Sequence, residues 1–269
     1  MKLIYIGDIV GRSGRTALMA HLPTLKERYS PDFIMVNGEN AAHGFGITEK
    51  ICKQFFEAGV DAITTGNHVW DQREIINYID DERRLLRPLN YPKNTPGQGA
   101  AVFETKSGEK ILVAQVLGRL FMETMDDPFA AIDQVMAEHQ LGGDIHCAVV
   151  DIHAEATSEK MAMGHYLDGR VSMVVGTHSH IPTADYQIFQ GGMAYQTDLG
   201  MCGDYNSVIG MKKEAAINRF TKKIPGDRLS PGEEESTLCA VFLETDAKTG
   251  KATRFDQIRI GGRLSECLP

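Results

Sequence analysis

The sequence has no apolar run approaching the ~20 residues that a membrane helix needs, which excludes a helical membrane span. Its start, MKLIYIGD, lacks the basic region, apolar stretch and small-residue cleavage site of a secretory signal, so a cytoplasmic location is the expectation. There is no CxxC spacing among the five cysteines (Cys52, Cys147, Cys202, Cys239 and Cys267). Scattered and odd in number, they read as free thiols of a reducing compartment, with Cys147 and Cys239 as small core residues. There is no basic stretch or face, and net charge is −8, which argues against a protein that coats nucleic acid by neutralising phosphates. A small nucleotide held through cations stays open, because the cations supply positive charge locally. GxGxxG spacing and the Walker Lys-Ser/Thr pair are both missing, so the scattered glycines of GDIVGRSG are a weak phosphate-loop signal. Internal repeats and low-complexity tracts are absent too.

What is present is a chain of 269 residues with 42% hydrophobic residues, ordinary for a sizeable buried core. Its first half alternates strand and helix. Strand 3–7 leads to a helix near 12–29 that Pro31 closes. Strand 33–36 leads through a Gly-rich loop to a helix near 48–58, with Thr48 as N-cap. Strand 61–65 leads to a helix near 72–84. Leu18, Leu22 and Leu25, and then Ile51, Phe55 and Phe56, recur at the three- and four-residue steps of helices packed on a sheet. That alternation implies parallel strands with right-handed crossovers. AAVFET and KILVAQV around Ser107-Gly108 read as a hairpin, and helices near 127–139 and 158–169 precede strands 146–151 and 171–175. From 183 the chain reads mainly β: DYQIF, MAYQT, TLCAVFLET and TRFDQIRI. Residues 200–236, rich in Gly, Pro and charge, read as an excursion that serves as lid or oligomer contact. No linker marks a boundary, so 1–269 is expected to be one domain, an α/β fold with two sheets face to face and helices outside.

Five short polar clusters each follow a β-prone run: Gly7-Asp8, Asn37-Gly38-Glu39-Asn40, Gly66-Asn67-His68, Asp151-Ile152-His153 and Gly176-Thr177-His178-Ser179-His180. Each alone has an ordinary explanation. Asp8 reads as the cap of the helix near 12, Glu39 and Asn40 as a polar turn, Asn67 as a turn residue, and His68 and His153 as structural histidines. Together they are hard to explain as packing. His-x-His after a buried strand is a moderately specific metal signal. Asp8, Glu39, Asn40, Asn67, His153, His178 and His180 would supply two cations that share a bridging carboxylate, leaving His68 free for proton transfer. Two such cations ~3.5–4 Å apart clamp a phosphoryl group and lower the pKa of water. A set of N and O donors without thiolate suits iron, manganese or zinc better than copper or calcium.

This order of clusters resembles the calcineurin-like metallophosphoesterases, with two departures. Asp8-Ile9-Val10 replaces the usual Asp-x-His, and Glu39, followed by Asn40, stands where that superfamily bridges with Asp. NGENAAHGFGIT, TTGNHVWD, DIHAEATSEK, VVGTHSHIPTAD and TDLGMCGDYNSVIG are similar, over nearly the whole chain, to the YmdB-like bacterial phosphodiesterases. The resemblance implies a four-layer α/β/β/α sandwich of two mixed sheets and a di-iron (or manganese) centre. It also implies hydrolysis of cyclic nucleotides, 2′,3′-cyclic AMP first, by in-line attack of a metal-bridging hydroxide. It assigns Asp8, Glu39, Asn40 and His180 to one metal, and Glu39, Asn67, His153 and His178 to the other. Asn40 replaces the missing histidine at position 10, and His68 is the general acid toward the leaving ribose oxygen. The excursion at 200–236 and the acidic surface make a homo-oligomer the expectation, and RNA ends are a further candidate substrate.

Four other features bear on substrate. Arg119 and Lys160 are candidates for phosphate contact against a reading as solvated loop charges. His43 reads as a loop histidine, with phosphate contact as the alternative. Tyr205 and Asn206 could shape a nucleoside pocket. Competing functions are a metal-dependent amidohydrolase or nucleosidase, for which Asp198 is the available late carboxylate, and a regulatory protein that senses a nucleotide on the same fold.

Overall fold

In a computed structural model, residues 1–222 and 226–269 are described. The chain runs β1 (Lys2–Ile6), β2 (Asp8–Ile9), α1 (Gly11–Tyr29), β3 (Phe33–Asn37), α2 (Glu49–Glu57), β4 (Ala62–Thr64), α3 (Ile75–Tyr78) and β5 (Leu85–Leu86). It continues β6 (Ala100–Glu104), β7 (Lys110–Leu117), α4 (Pro128–Met136), β8 (Cys147–His153), α5 (Thr157–Leu167) and β9 (Met173–Thr177). The last elements are β10 (Gln187–Ile188), β11 (Ala194–Gln196), β12 (Met201–Cys202), α6 (Lys213–Lys222), β13 (Leu238–Thr245) and β14 (Ala252–Ile260).

Two six-stranded mixed sheets form, in the orders β14-β13-β1-β3-β4-β5 and β10-β11-β9-β8-β7-β6. In the first, β1, β3, β4 and β5 are parallel, β13 pairs antiparallel with β1, and β14 pairs antiparallel with β13. In the second, β7, β8, β9 and β11 are parallel, and β6 and β10 are antiparallel edges. Among the described residues, the period-2 alternation of strand side chains divides most of the apolar residues into three cores, beside a small cluster of Val10, Met201 and Met211. Ile4 and Ile6 of β1 face α1 and α2 among Leu18, Leu22, Leu25, Ile51 and Phe55. Leu3 and Tyr5 face the other sheet, meeting Val113, Val149 and Val175. Ala148, Val150 and Ile152 of β8 meet Ile132 of α4 and Met163 and Leu167 of α5. The result is the four-layer α/β/β/α sandwich.

Local chemistry explains the element ends. Thr48 caps α2, its hydroxyl accepting from the Ile51 N–H at 3.3 Å. Ser30, left-handed at φ 46°, ends α1 just before Pro31. The expected helix over 72–84 is a correction. Only Ile75–Tyr78 are helical, and Leu85-Leu86 add a strand to the first sheet. The acidic run Asp80-Asp81-Glu82 would sit at that helix's negative end. Its carboxylates turn the chain instead: Asp80 accepts from the Gly97 N–H at 2.6 Å and Glu82 from the Arg84 N–H at 3.1 Å. The 200–236 excursion, three of whose residues (223–225) lie outside the described residues, contains β12, paired with β2, and the unexpected helix α6. No helix among the described residues is long and apolar enough to cross a membrane.

Candidate metal centre

The parallel strands of both sheets deliver their carboxyl ends to one edge, where open α/β sheets place their ligand sites. Asp8 follows β1, Glu39 and Asn40 follow β3, and Asn67 and His68 follow β4. From the second sheet, His153 ends β8, and His178 and His180 follow β9. Along CAVVDIH, the residues facing the first sheet change from Cys147 and Val149 to Asp151 and His153 as the strand reaches this edge.

Donor atoms converge there. One atom each from Glu39, His153 and His178 lie within 4.8 Å of one another. His153 Nε2 is 2.9 Å from Glu39 Oε2, 3.2 Å from Asn67 Oδ1 and 3.2 Å from His178 Nδ1. A single imidazole nitrogen cannot satisfy two oxygens and a second ring nitrogen, but a cation among them can. On the other side, Asn40 lies 3.3 Å from Glu39 Oε2 and 3.0 Å from His180 Nε2, and His180 Nε2 is 4.0 Å from Asp8 Oδ1. Glu39 thus stands between two groups of donors. Asp8 is fully buried, and its Oδ1 has no hydrogen-bond partner. The N-cap of α1 is Val10, without a side-chain cap, so Asp8 does not cap the helix. An orphaned carboxylate oxygen beside nitrogen and oxygen donors fits a hard or borderline cation.

Electrostatics point the same way. Burial pushes the Asp8 carboxyl up to about 7 against the pull of His180 and His153. Burial also pushes Glu39 up, but the charge and hydrogen bond of His153 overcome it and hold Glu39 well below the usual carboxylate range. His153 is drawn down by burial and raised, on balance, to about 9 by Glu39. Burial and the His153 charge lower His178 to about 3, which leaves its ring neutral with a lone pair to donate.

The loop bearing the two adjacent histidines is strained and held. His178 and His180 have φ values of 92° and 67°, a region that non-glycine residues enter only when the surroundings impose it. Asp198 imposes it, its Oδ2 accepting from the Ser179 N–H at 3.1 Å, the Ser179 hydroxyl at 2.7 Å and Lys160 Nζ at 2.8 Å. His180 Nδ1 donates to the Ile209 carbonyl at 2.7 Å, leaving Nε2 as the acceptor that faces the site. Gly66 makes room opposite. A β-carbon there would fall 2.6 Å from Glu39 Cδ and closer still to Glu39 Oε1 and His153 Nε2.

Several substrate expectations change. Lys160 is wholly buried in α5 and paired with Asp198, so it is neither a phosphate contact nor a solvated charge. The Tyr205 hydroxyl donates to the His180 carbonyl at 3.0 Å and accepts from the Met201 N–H at 3.0 Å, so it secures the loop rather than lining a nucleoside pocket. Asn206 bonds Glu234 and Lys213. Arg119 pairs with Asp127 at 3.4 Å, and His43 is exposed with φ 56°. Asp198 is saturated with donors, including the Gly200 N–H at 2.8 Å.

The profile of a family described as YmdB-like protein matches residues 4–258. The chain belongs to this family. A relative from Bacillus subtilis (strain 168), named 2′,3′-cyclic-nucleotide 2′-phosphodiesterase, is 45% identical over 97% of each chain. The crystal structure of a hypothetical protein from Thermus thermophilus superposes with a TM-score of 0.90 at 39% identity, covering 98% of this chain and 100% of that one. A crystal structure titled as a novel phosphatase from Mycoplasma pneumoniae gives a TM-score of 0.90 at 36% identity, over 97% and 93%.

Further side chains of this YmdB-family chain stand against the candidate ligands and His68. Glu155 Oε2 is 3.3 Å from His178 Nε2, and Asp71 Oδ2 is 2.9 Å from His68 Nδ1. Asp71 was findable, since it lies three residues after His68 in a short turn. Thr177, which contacts both His153 and Asp151, lies on the strand beside theirs in a register that the sequence alone does not fix.

Proposed function

We propose that this chain is a metal-dependent phosphodiesterase acting on small cyclic nucleotides, 2′,3′-cyclic AMP first among them. The observation that carries it is the convergence of Glu39, His153 and His178 at one sheet edge, with the fully buried Asp8, whose Oδ1 has no partner, beside His180. The printed activity of the Bacillus subtilis relative supports the substrate class. In this reading Asp8, Glu39, Asn40 and His180 would hold one cation, and Glu39, Asn67, His153 and His178 would hold the other. Iron is favoured, with manganese or zinc suiting the same donors. Bound there, the pair supplies Lewis acidity toward the phosphoryl group and lowers the pKa of the attacking water.

The protein's own part is positioning and proton delivery. His68 Nδ1 donates to Asp71 Oδ2 at 2.9 Å, which orients the ring and turns Nε2 outward. The His68 N–H holds Glu39 Oε1 at 2.9 Å, so His68 and Glu39 are fixed to each other. Phe45 packs edge-on against the imidazole with centroids 5.0 Å apart. As water attacks phosphorus in line, His68 Nε2 gives its proton to the leaving ribose oxygen. An amidohydrolase or nucleosidase would need Asp198 free as a base, and its donors leave it none of that freedom. The decisive experiment measures metal content, and turnover of 2′,3′-cyclic AMP and bis-p-nitrophenyl phosphate, with Mn²⁺ or Fe²⁺ and after chelation. Turnover that follows metal loading is expected. A fully loaded protein that cleaves no phosphodiester, yet cleaves an amide or N-glycoside, would overturn the reading.

A further inference from the structure

Asp151 is a fully buried carboxylate between the sheets, two residues before His153 and on the same face of β8. We propose that Asp151 and Thr177 are positioning residues that fix the His153 tautomer, so that its Nε2 lone pair points at the cation site. The inference rests on the reading above only in taking Nε2 as a metal donor.

The direction of each hydrogen bond follows from the one before. Asp151 Oδ2 faces three donors: the Tyr5 hydroxyl, Gln115 Nε2 at 2.7 Å and Asn37 Nδ2 at 3.5 Å. The Gln115 amide is oriented independently, since its Oε1 accepts from the Thr65 N–H at 3.0 Å, which turns its nitrogen toward Asp151. Oδ2 is therefore an acceptor, and with the carboxylate ionised Oδ1 is one as well. The Thr177 hydroxyl must donate to Oδ1, at 2.7 Å. With its one proton committed, Thr177 Oγ1 can only accept from His153 Nδ1, at 2.8 Å. Nδ1 therefore carries a proton, and Nε2 is the atom left to face Glu39 and Asn67. Metal-binding histidines commonly have the far nitrogen held by a carboxylate or carbonyl. Here a hydroxyl stands between the imidazole and the carboxylate, and the carboxylate is gripped from both sheets: by Tyr5 of β1 and Asn37 of β3 on one side, and by Gln115 of β7 on the other. His180 reaches the same end by a separate route, through the Ile209 carbonyl.

The test compares Thr177→Val, Thr177→Ser and Asp151→Asn for Mn²⁺ affinity, thermal melting and phosphodiesterase activity. Thr177→Val keeps the shape without the hydroxyl. Asp151→Asn presents an amide NH₂ to groups that already donate. Both are expected to weaken Mn²⁺ binding by about 10–100-fold. Thr177→Ser should stay within a few-fold of the parent. The double variant Asp151→Asn/Thr177→Val should fall no further than its weaker single, because the two residues act as one unit. A purely structural role would lower the melting temperature and leave the affinity of the folded protein unchanged. Should the variants fail to fold, a long-range ¹H–¹⁵N spectrum of the Zn²⁺-loaded parent reads the His153 ring directly. A bare Nδ1 in that spectrum, or parental Mn²⁺ affinity in folded Thr177→Val, overturns the assignment. A parent that binds Mn²⁺ tightly but hydrolyses no phosphodiester removes the proposed function and leaves this inference standing.

Discussion

Gly66→Ala is the smallest change that should disable the centre while leaving the fold intact. Gly66 has no positive φ, so alanine meets no backbone penalty there. The cost is steric and local. The new β-carbon would lie 2.6 Å from Glu39 Cδ, which has to retreat to about 3.4 Å, where ordinary contact begins. Glu39 has no free path. Its Oε1 is held by the His68 N–H at 2.9 Å, its Oε2 by His153 at 2.9 Å, and the residue is wholly buried. Overpacking of this size costs typically ~1–3 kcal/mol of stability, which a chain of this length tolerates. A misplacement approaching 1 Å at reacting groups costs on the order of 10²-fold in rate. The expectation is thus a folded protein with a modestly lowered melting temperature, reduced metal content and kcat down by about 10². The assay pairs elemental analysis with turnover of bis-p-nitrophenyl phosphate. Parental metal content together with parental kcat would refute the claim that Glu39 and His153 must approach across position 66.

His68→Ala should keep the parental metal content and lose about 10²–10⁴-fold in kcat on 2′,3′-cyclic AMP, and unchanged kcat would remove the acid assignment. Metal affinity should rise with pH. In the metal-free protein Asp8 is raised to about 7 and His153 to about 9, so both hold protons that a cation must displace. Each displaced proton contributes about tenfold in affinity per pH unit below its pKa, and Mn²⁺ affinities at pH 6, 7 and 8 that coincide would contradict this. The same shifts fix the sign for the metal-free fold. The stability that His153 contributes is complete below its unfolded value and is lost as pH rises through about 9, which urea titrations at pH 6 and 9.5 would read. Lys160→Met strands the buried Asp198 carboxylate and should cost about 3 kcal/mol in urea unfolding, with loss of metal as the 178–180 loop relaxes. A loss below about 1 kcal/mol would mean that Ser179 and Gly200 satisfy Asp198 alone.

What the sequence makes legible and what it hides divide along one physical line. Cluster positions are legible because each follows an apolar run whose alternation marks a strand, and parallel strands bring their carboxyl ends to a common edge. Thr48 as a cap and the hairpin at Ser107-Gly108 are legible for a similar reason, since each is settled by residues a few positions apart. The residues that hold the donors in place are settled by register and depth instead. Lys160 reads as a surface charge until α5 is seen to carry it against Asp198, thirty-eight positions away. Tyr205 reads as pocket chemistry until its hydroxyl is found on the His180 carbonyl. Asp151 sits in plain view beside His153, yet its task depends on Thr177 standing opposite His153 across the β8–β9 pair. A one-residue slip in that pairing would turn every side chain of one strand to the other face and uncouple the carboxylate from the imidazole. The donors are therefore a property of strand ends, which composition and period reveal, whereas their orientation is a property of the packed interior between the two sheets. For that reason substitutions at Asp151, Thr177, Asp198 and Lys160 should perturb metal binding, although none of the four is among the seven proposed donors.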